Sequence, residues 1–319
     1  MLKILYVMDP MERIQVDADS TFVMQMEAQN RGHEQYHSLP RGLAVRNGIP
    51  GVLCRPLEVA PVQGNHFSFT GEESFLPLEK FDAILMRKDP PFNMDYIYAT
   101  YLLELVDKKV FVLNRPDSLR SCNEKLYSLK FPRWIPRTVV TANSALIREF
   151  AEDVGGKAVI KPLDGAGGEG IFLLAEGDPN WNALVEQVTG HGQHTVVVQE
   201  YIPAIVDEGD KRVILIDGEP FGAIRRVPPK DDLRGNIHVG ARCERGELSE
   251  REQEMCRELG AAFREAGLWF VGIDIIGGFL TEINVTSPTG IQEINLLDGV
   301  ALEKNVVDMI EKKCALLSS

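Results

Sequence analysis

The segment Trp269–Asn284 has the sequence Trp-Phe-Val-Gly-Ile-Asp-Ile-Ile-Gly-Gly-Phe-Leu-Thr-Glu-Ile-Asn. Its apolar residues predict two largely buried strands joined at a pair of glycines. Asp274, Glu282 and Asn284 supply the hard oxygen atoms that Mg²⁺ prefers, and unpaired carboxylates are costly in a buried hairpin. The pattern therefore favours a magnesium site; the alternative is two ordinary solvated carboxylates on an amphipathic hairpin.

The length of the turn decides whether these three side chains can meet. Side chains alternate faces along a strand, so a two-residue turn at Gly277-Gly278 would oppose Asp274 to Thr281 and point Glu282 away. A three-residue loop over Ile276–Gly278, with Gly278 left-handed at a bulge, brings all three onto one face. We predict the three-residue loop.

Composition describes a globular protein. The 319 residues suit about two domains or one large composite unit. Hydrophobic residues make up 44% of the chain, and no apolar run approaches the roughly 18 residues that span a bilayer. The start, Met1–Pro10, has too short an apolar stretch for a signal peptide and predicts a first buried strand.

Charge and cysteine usage exclude several classes of protein. There are 34 basic and 47 acidic residues, a net charge of −13, and no block of Lys and Arg, so nucleic acid and anionic membranes are poor partners. The five cysteines are scattered and lack a Cys-x-x-Cys pair. This argues against a disulfide framework or structural zinc and predicts a cytoplasmic protein.

The first third of the chain alternates strands and helices, as in a parallel α/β layer. The predicted elements are strands Lys3–Met8, Phe81–Met86 and Val110–Leu113 and helices Ser20–Arg31 and Asp95–Asp107. Ser20 is the predicted N-cap and Gly32 the predicted C-cap of the first helix. Residues 40–77 show no clear pattern and stay unassigned.

The second part begins after a proline-rich connection. A helix is predicted over Cys122–Lys130, and from Arg137 onward the pattern changes to hairpins with helices alongside. Asp217-Gly218 marks one turn, and Ser249–Ala266 predicts a capped amphipathic helix. These features are typical of α+β subdomains.

Gly165-Ala-Gly-Gly-Glu-Gly170 matches the letters of the dinucleotide fingerprint G-x-G-x-x-G. That fingerprint opens a helix, whereas here the strand Ala158–Pro162 precedes the glycines and the strand Ile171–Leu174 follows them. We predict a glycine flap whose N–H groups cover phosphates, with Lys161 beside it; the alternative is a plain flexible hairpin loop. Val196–Pro203 predicts a strand ending in a loop, a suitable place for an adenine edge.

Together these motifs resemble the ATP-grasp superfamily, and within it the bacterial glutathione synthetases. The similar segments also include Cys-Asn-Glu-Lys125-Leu, Gly209-Asp-Lys-Arg212 and Thr281–Pro288. Near the N-terminus, Val7–Pro10 and Met-Arg-Lys-Asp-Pro-Pro-Phe over Met86–Phe92 separate the chain from other ligases of the superfamily. The likeness covers nearly the whole chain.

The resemblance implies an α/β fold: a Rossmann-like, parallel-sheet N-terminal domain (1–122) followed by two α+β ATP-grasp subdomains (123–200 and 201–319). It implies an ATP-dependent ligase that joins γ-L-glutamyl-L-cysteine to glycine through an acyl phosphate and releases ADP and phosphate. ATP is the co-substrate, Mg²⁺ the metal with Mn²⁺ as an alternative, and the assembly a homo-oligomer, a dimer or tetramer.

The resemblance also implies roles for individual residues. The ATP-binding residues are Lys125, Lys161, Gly165, Gly167, Gly168, Gln199, Glu200, Tyr201, Ile202 and Asp210. The metal ligands are Asp274, Glu282 and Asn284, and the catalytic residues are Arg212 and Arg226. The substrate-binding residues are Arg87, Asn236, Ser287 and Thr289. Asn236 belongs to a lid formed by residues Val227–Arg242.

Two other functions stay open at this point. Another ATP-grasp carboxylate–amine ligase would share the ATP site, since only Arg87, Asp89 and Ser287–Thr289 favour the dipeptide. A non-catalytic ATP-binding regulatory protein would keep the nucleotide site and lack a metal carboxylate or a catalytic arginine. The chain lacks neither of these.

Overall fold

The computed structural model describes residues 1–228 and 242–318. Its strands are β1 (Lys3–Met8), β2 (Glu34–Ser38), β3 (Leu43–Arg46), β4 (Ile49–Val59), β5 (Phe67–Phe69), β6 (Ser74–Pro77), β7 (Ala83–Arg87), β8 (Phe111–Leu113), β9 (Thr138–Thr141), β10 (Lys157–Pro162), β11 (Phe172–Ala175), β12 (Val196–Glu200), β13 (Asp210–Ile216), β14 (Glu219–Val227), β15 (Arg242–Arg245), β16 (Phe270–Ile276) and β17 (Phe279–Asn284). Its helices are α1 (Ser20–Asn30), α2 (Met94–Glu104), α3 (Pro116–Ser121), α4 (Ser144–Asp153), α5 (Trp181–Val188), α6 (Ala204–Asp207), α7 (Glu250–Ala266), α8 (Ile291–Asp298) and α9 (Leu302–Ser318).

The N-terminal sheet has the strand order β3-β4-β2-β1-β7-β8. Strand β1 runs parallel to β2 and β7, and β7 runs parallel to β8. Buried on both faces, β1 and β7 are the continuous apolar strands typical of a parallel layer. The predicted parallel α/β domain is confirmed. The unassigned residues 40–77 form β3 to β6, which pair antiparallel through the long β4.

Two predictions about helix starts were wrong, one for an N-cap and one for a helix, and in both places a side chain caps backbone N–H groups. Asp19, not Ser20, is the N-cap of α1, since its carboxylate accepts the N–H of Phe22 at 2.7 Å. The predicted helix over Cys122–Lys130 forms only in its last part, as a 3-10 helix over Tyr127–Lys130. Helix α3 ends at Ser121. The side-chain oxygen of Asn123 accepts the N–H groups of Lys125 and Leu126, and these two hydrogen bonds turn the chain there.

The rest of the described chain folds around two further sheets. One has the order β11-β10-β12-β9 and the other the order β15-β14-β13-β16-β17, both antiparallel throughout. Helix α7 starts at a capping box in which Ser249 and Glu252 satisfy each other's N–H groups, as its sequence predicts. This arrangement confirms α+β subdomains after a parallel-sheet domain.

The β16–β17 hairpin corrects the prediction for its turn. The turn has two residues, Gly277 and Gly278, both with positive φ, and Ile276 pairs directly with Phe279. The extra residue lies instead inside β17, where the register shifts at Thr281 and its hydroxyl donates to the Asp274 carbonyl at 3.1 Å. Asp274 therefore lies opposite Glu282.

A single side chain ties the N-terminal sheet to the β16–β17 hairpin. The Asn114 amide, just past β8, donates to the carbonyls of Phe270 and Val285 at 2.8 and 2.9 Å. Its oxygen accepts the N–H groups of Trp269 and Phe270 at 2.7 and 3.0 Å. Asn114 is buried, and all four partners are backbone groups of the second part of the chain. The two parts are thus in direct contact through a fully used amide group.

Hydrophobic packing continues across the same junction. One core joins side chains of β1 and β7 to side chains of β13 and β16, whereas the sheet of β9 to β12 has a core of its own around Ile160 and Trp181. All five cysteines are free thiols. Across the described residues, no helix has the length and apolar character needed to cross a bilayer.

Candidate active site

A cavity of about 350 Å³ lies between the two antiparallel sheets. It is lined by thirteen of the residues singled out in the sequence: Lys125, Lys161, Gly165, Gly167, Gly168, Gln199, Glu200, Tyr201, Ile202, Asp210, Arg226, Asp274 and Glu282. Strands β10 and β12 supply one wall, and β13, β14, β16 and β17 supply the other. One sheet alone could not form the site, because the two groups of residues come from different sheets.

Two lysine ammonium groups lie at this cavity. Lys161, at the end of β10, donates to the side-chain oxygen of Gln199 at 2.8 Å. Burial lowers the pKa of Lys161, although Glu282 opposes the shift. Lys125 donates to the Gly165 carbonyl at 2.6 Å and forms an ion pair with Glu282 at 3.1 Å. A cation held in a buried cavity is suited to an anionic ligand such as a phosphate chain.

The glycine loop follows β10 and precedes β11, as predicted. Gly167, Gly168 and Gly170 have positive φ, which L side chains rarely adopt. A Cβ on Gly165 would lie 2.9 Å from the Glu169 carbonyl oxygen, so a larger residue would displace the loop backbone. These constraints explain why the sequence is glycine-rich at this turn between two strands.

Asp274 is the centre of a buried charge cluster. Its carboxylate accepts from Arg212, Nε to Oδ1 at 2.6 Å and Nη2 to Oδ2 at 3.0 Å. Arg226 lies 3.0 Å from Oδ1, and the Asn284 amide donates to Oδ2 at 3.2 Å. Burial by itself would raise the pKa of Asp274, but the two guanidinium groups outweigh it and hold the pKa well below its usual range. Asp274 is therefore a permanent carboxylate.

Arg226 bridges Asp274 to a second carboxylate. Its Nε and Nη2 donate to the two oxygens of Asp210 at 2.6 and 2.7 Å. Burial raises the pKa of Asp210 to about 6 in spite of this pair. For Arg226, burial acts to lower the pKa, but Asp274 and Asp210 together raise it. The guanidinium is thus fixed in position as a cation at the cavity wall.

The two predicted catalytic arginines have different surroundings. Arg226 lines the cavity. Arg212 is buried on the neighbouring strand, and besides Asp274 it donates to the Thr289 carbonyl at 3.0 Å. Arg212 and Asn284 are not among the residues that line the cavity; both reach it through Asp274.

The donor set fits a hard divalent cation. In residues 1–228 and 242–318, no three His, Cys, Asp or Glu side chains are grouped as a metal site. The candidate ligands are instead two carboxylates, Asp274 and Glu282, opposite each other in register, and the amide of Asn284 two residues further on the same face. Mg²⁺ is commonly bound by one or two carboxylates and completes its shell with water and phosphate oxygens.

The predicted dipeptide residues gather at a different place, near the end of β7. Arg87 is buried and donates to Thr21 at 2.9 Å and to the Pro288 carbonyl at 3.0 Å. Ser287 lies near the Arg87 carbonyl, at 3.5 Å. Burial lowers the pKa of Arg87. Asn236 and most of the predicted lid lie outside the described residues.

Glu124 and the apolar cavity walls were missed by the sequence predictions. The Glu124 carboxylate accepts the N–H groups of Val285 and Thr286 at 2.9 and 3.0 Å, which fixes the chain just after Asn284. The signal that could have identified Glu124 is its position next to Lys125 in the segment Cys-Asn-Glu-Lys-Leu. Ile171, Leu173 and Ile276 form apolar walls of the cavity, but apolar strand residues give no signal that separates a ligand wall from a core.

The comparisons with known proteins agree with this geometry. The model of the prokaryotic glutathione synthetase N-terminal domain matches residues 2–120, and that of the prokaryotic glutathione synthetase ATP-grasp domain matches residues 124–299. A glutathione synthetase of Synechococcus elongatus is 46% identical over 97% of this chain and 98% of its own length. One of Coxiella burnetii is 45% identical over 98% of both chains.

Solved structures with lower sequence identity share the fold. The ATP-grasp ligase PsnB, complexed with a minimal precursor, superposes with a TM-score of 0.66 at 18% identity and covers 98% of this chain and 99% of its own. D-cycloserine synthetase DcsG gives a TM-score of 0.65 at 15% identity over 98% and 99%. The fold is that of the ATP-grasp ligases, and the matches over the full length show that this chain belongs to the prokaryotic glutathione synthetase family.

Proposed function

We propose that the chain is an ATP-dependent ligase that joins γ-L-glutamyl-L-cysteine to glycine and makes glutathione. The observation that carries the proposal is the cavity that holds two lysine ammoniums, a glycine loop and the opposed carboxylates Asp274 and Glu282. Family membership over the full chain supports the choice of substrates. Such a site binds a nucleotide and its metal, and neither a nucleophile nor a general base needs to be supplied by the protein.

ATP would lie between the two sheets. Lys125 and Lys161 would bind its phosphates under the loop of Gly165, Gly167 and Gly168. The chain from Gln199 to Ile202 would hold the adenine, since it leaves β12 at the cavity and has backbone groups available there. Asp210 would meet the ribose. A cation so placed offsets phosphate charge more strongly in a buried cavity than in water.

Metal binding would use the opposed pair. Asp274 and Glu282, with Asn284, would hold Mg²⁺, or Mn²⁺ in its place. When bound, such an ion neutralises charge on the phosphate oxygens of the nucleotide. Arg212 and Arg226 keep the Asp274 carboxylate ionised and oriented, and Glu124 fixes the backbone next to Asn284.

Catalysis would follow from position. The dipeptide carboxylate attacks the γ-phosphate of ATP, ADP leaves, and the glycine amine then displaces phosphate from the acyl phosphate. Holding the reacting groups in line contributes roughly 7–11 kcal/mol to lowering such a barrier. Arg226 faces the cavity and would stabilise the negative charge of the transferred phosphoryl group. Arg87, Ser287 and Thr289 would bind the dipeptide, and Asn236 would contact it from the lid.

Several further predictions belong to this proposal. The division into 1–122, 123–200 and 201–319 and the cytoplasmic location stay predictions. So does the homo-oligomeric state. The two alternative functions differ from the proposed one in substrates and turnover. Another ligase would use a different carboxylate or amine, and a regulatory protein would bind ATP without turnover.

The proposal is tested by leaving out one component of the reaction at a time. Phosphate and glutathione are both measured, by a colorimetric assay and by mass spectrometry, with ATP, Mg²⁺, γ-glutamylcysteine and glycine present and with each omitted in turn. We expect one glutathione per phosphate and none when any component is missing. Phosphate release that ignores glycine, or a faster reaction with another amine, would point to a different ligase. ATP binding by calorimetry without phosphate release would favour the regulatory protein.

A further inference from the structure

Four side chains form a row across the sheet of β9 to β12. Leu173 pairs with Val159, and Val159 pairs with Gln199. Gln199 in turn pairs with Thr138 of the edge strand β9. The first three residues line the cavity, whereas Thr138 is not among the residues that line it. Gln199 thus places an amide at the end of an apolar wall, with Thr138 behind it.

Two partners fix the orientation of the Gln199 amide. The Lys161 ammonium has protons and no lone pair, and it donates to Oε1 at 2.8 Å. The Thr138 hydroxyl donates its single proton to the Pro136 carbonyl at 2.8 Å, so it accepts from Gln199 Nε2, 3.3 Å away. Gln199 is 4% exposed, and buried amides need such partners. Oε1 therefore lies on the side of the cavity and Nε2 on the side of β9.

The two partners differ in how firmly they are held. The Lys161 ammonium ends a flexible four-carbon stem, so it can turn from Gln199 toward a phosphate chain. The Thr138 hydroxyl sits on a β-branched side chain within a strand, and its bond to the Pro136 carbonyl is made inside its own segment. Once Lys161 has turned to the phosphates, Thr138 is the partner that keeps the amide oriented.

An oriented amide distinguishes between purine bases. Oε1 has two lone pairs, and Lys161 uses one of them. The other can accept a proton from the amino group at position 6 of adenine. A 6-oxo purine has an oxygen at that position, and two acceptors would then face each other. A site built around one hydrogen bond rejects a ligand that cannot make it, because the buried polar group is left unpaired.

We propose that Thr138 is a positioning residue that makes the nucleotide site selective for 6-amino purines, through the orientation of the Gln199 amide. The inference rests on the proposed function, because it needs a nucleotide between the two sheets. Thr138 touches no substrate in this account. It acts by keeping an acceptor, and not a donor, at the cavity wall.

The first test measures the dissociation constants of ATP and of inosine triphosphate by calorimetry with Mg²⁺. Thr138→Val removes the hydroxyl and keeps a β-branched side chain. The ratio of the two constants, inosine triphosphate over ATP, should fall roughly 10-fold, the worth of one neutral hydrogen bond. The two bases also differ at N1, but this contribution is the same in both proteins and cancels in the comparison.

Two further variants separate the hydroxyl from the strand. Thr138→Ser keeps the hydroxyl and should restore the wild-type ratio. Thr141→Val is the matched control, since Thr141 lies on the same strand and its hydroxyl accepts the N–H of Asn143 instead. This change should leave the ratio unaltered. Circular dichroism establishes that each variant is folded.

A double-mutant cycle tests whether Thr138 acts through Gln199. Gln199→Met removes the amide and should lower the ratio by itself. Thr138→Val added to Gln199→Met should then lower it no further, because there is no amide left to orient. A further fall in the double variant would mean that Thr138 only supports the sheet, and it would overturn the proposal.

The remaining outcomes are equally decisive. A wild-type protein that binds both nucleotides equally, or a Thr138→Val protein that keeps the wild-type ratio, would overturn the proposal. So would a Gln199→Met protein with the wild-type ratio, even if Thr138→Val did not fold. A protein that makes glutathione from ATP while the ratio is unchanged in Thr138→Val refutes this inference alone, whereas a protein that does not bind ATP refutes the proposed function as well.

Discussion

Arg212 and Asp274 form a bidentate ion pair across β13 and β16, with Nε–Oδ1 and Nη2–Oδ2 distances of 2.6 and 3.0 Å. Both side chains are buried, and Arg226 adds a third charge at 3.0 Å. Asp210 pairs with the other side of Arg226 and brings the cluster to two positive and two negative charges. Both guanidinium groups are therefore held in fixed positions, and Arg226 lies at the cavity wall, where it can meet the negative charge of a transferred phosphoryl group.

Asp274→Asn should destabilise the fold as well as stop the reaction. The change removes the carboxylate partner of the buried Arg212 and one of the two carboxylates that pair with Arg226, and removal of one partner of a buried pair costs about 3–5 kcal/mol. Urea unfolding followed by circular dichroism measures this loss. Asp298→Asn breaks the more exposed pair with Arg245 and should cost less than about 1 kcal/mol. Equal losses in the two variants would show that burial of the cluster has no energetic consequence.

Glu282→Gln should separate activity from stability. Glu282 is partly exposed and forms an ion pair with Lys125, with Lys161 as a second cation nearby, so the free energy of unfolding should change by less than about 1 kcal/mol. Phosphate release should fall on the order of 100-fold, with a higher Mg²⁺ requirement, because an anionic ligand is lost. Glu219→Gln, on an exposed pair with Arg264, is the control. Near-normal turnover at ordinary Mg²⁺ would exclude Glu282 from the metal site.

Lys161→Met should weaken ATP binding without harm to the fold. A charge-assisted contact is worth about 1.5–3 kcal/mol, so the dissociation constant of ATP should rise roughly 10- to 100-fold. Burial already lowers the pKa of Lys161, so an apolar side chain of similar length should leave the melting temperature unchanged or higher. Calorimetry and thermal unfolding measure the two quantities. Lys157→Met, exposed on the same strand, should alter neither; unchanged ATP affinity in Lys161→Met would contradict the phosphate role.

Asn114→Ala should be among the most destabilising single changes away from the cavity. It leaves two backbone N–H groups and two carbonyls without their partner, and each buried unsatisfied group costs about 1–3 kcal/mol. We expect a loss of about 4 kcal/mol or more in the free energy of unfolding. Asn143→Ala removes only the exposed N-cap of α4 and should cost about 1 kcal/mol. Similar losses would mean that water replaces the amide at the junction.

The features that depend on local sequence patterns were predicted correctly. The alternation of strands and helices predicted the N-terminal sheet. The strands on both sides of Gly165–Gly170 excluded a dinucleotide-binding motif, which would open a helix. The capping box at Ser249 gave the start of α7 correctly. The family resemblance supplied the residues that line the cavity, because their types are tied to a shared nucleotide chemistry.

Features that depend on tertiary contacts were not predictable in this way. The bulge at Thr281 is fixed by a hydrogen bond across the hairpin, and a pattern of apolar residues does not distinguish it from a longer turn. The Asn123 turn, which replaces the first part of the predicted helix, depends on one side-chain oxygen. Asn114 acts on residues more than 150 positions away, and no local signal marks such a partner.

The bulge also fixes what length changes the hairpin can tolerate. If the ladder kept Thr281 without the bulge, Thr281 would lie opposite Asp274 and Glu282 would pass to the opposite face of the sheet, where the apolar Leu280 and Ile283 now lie together in the core. Deletion of Thr281 would restore a regular ladder with Glu282 still opposite Asp274, whereas deletion of Leu280 would place Thr281 opposite Ile275 in the core. The pairing register of the strand, and not only the identity of its ligands, is under constraint, so loss of Thr281 should be tolerated better than loss of Leu280.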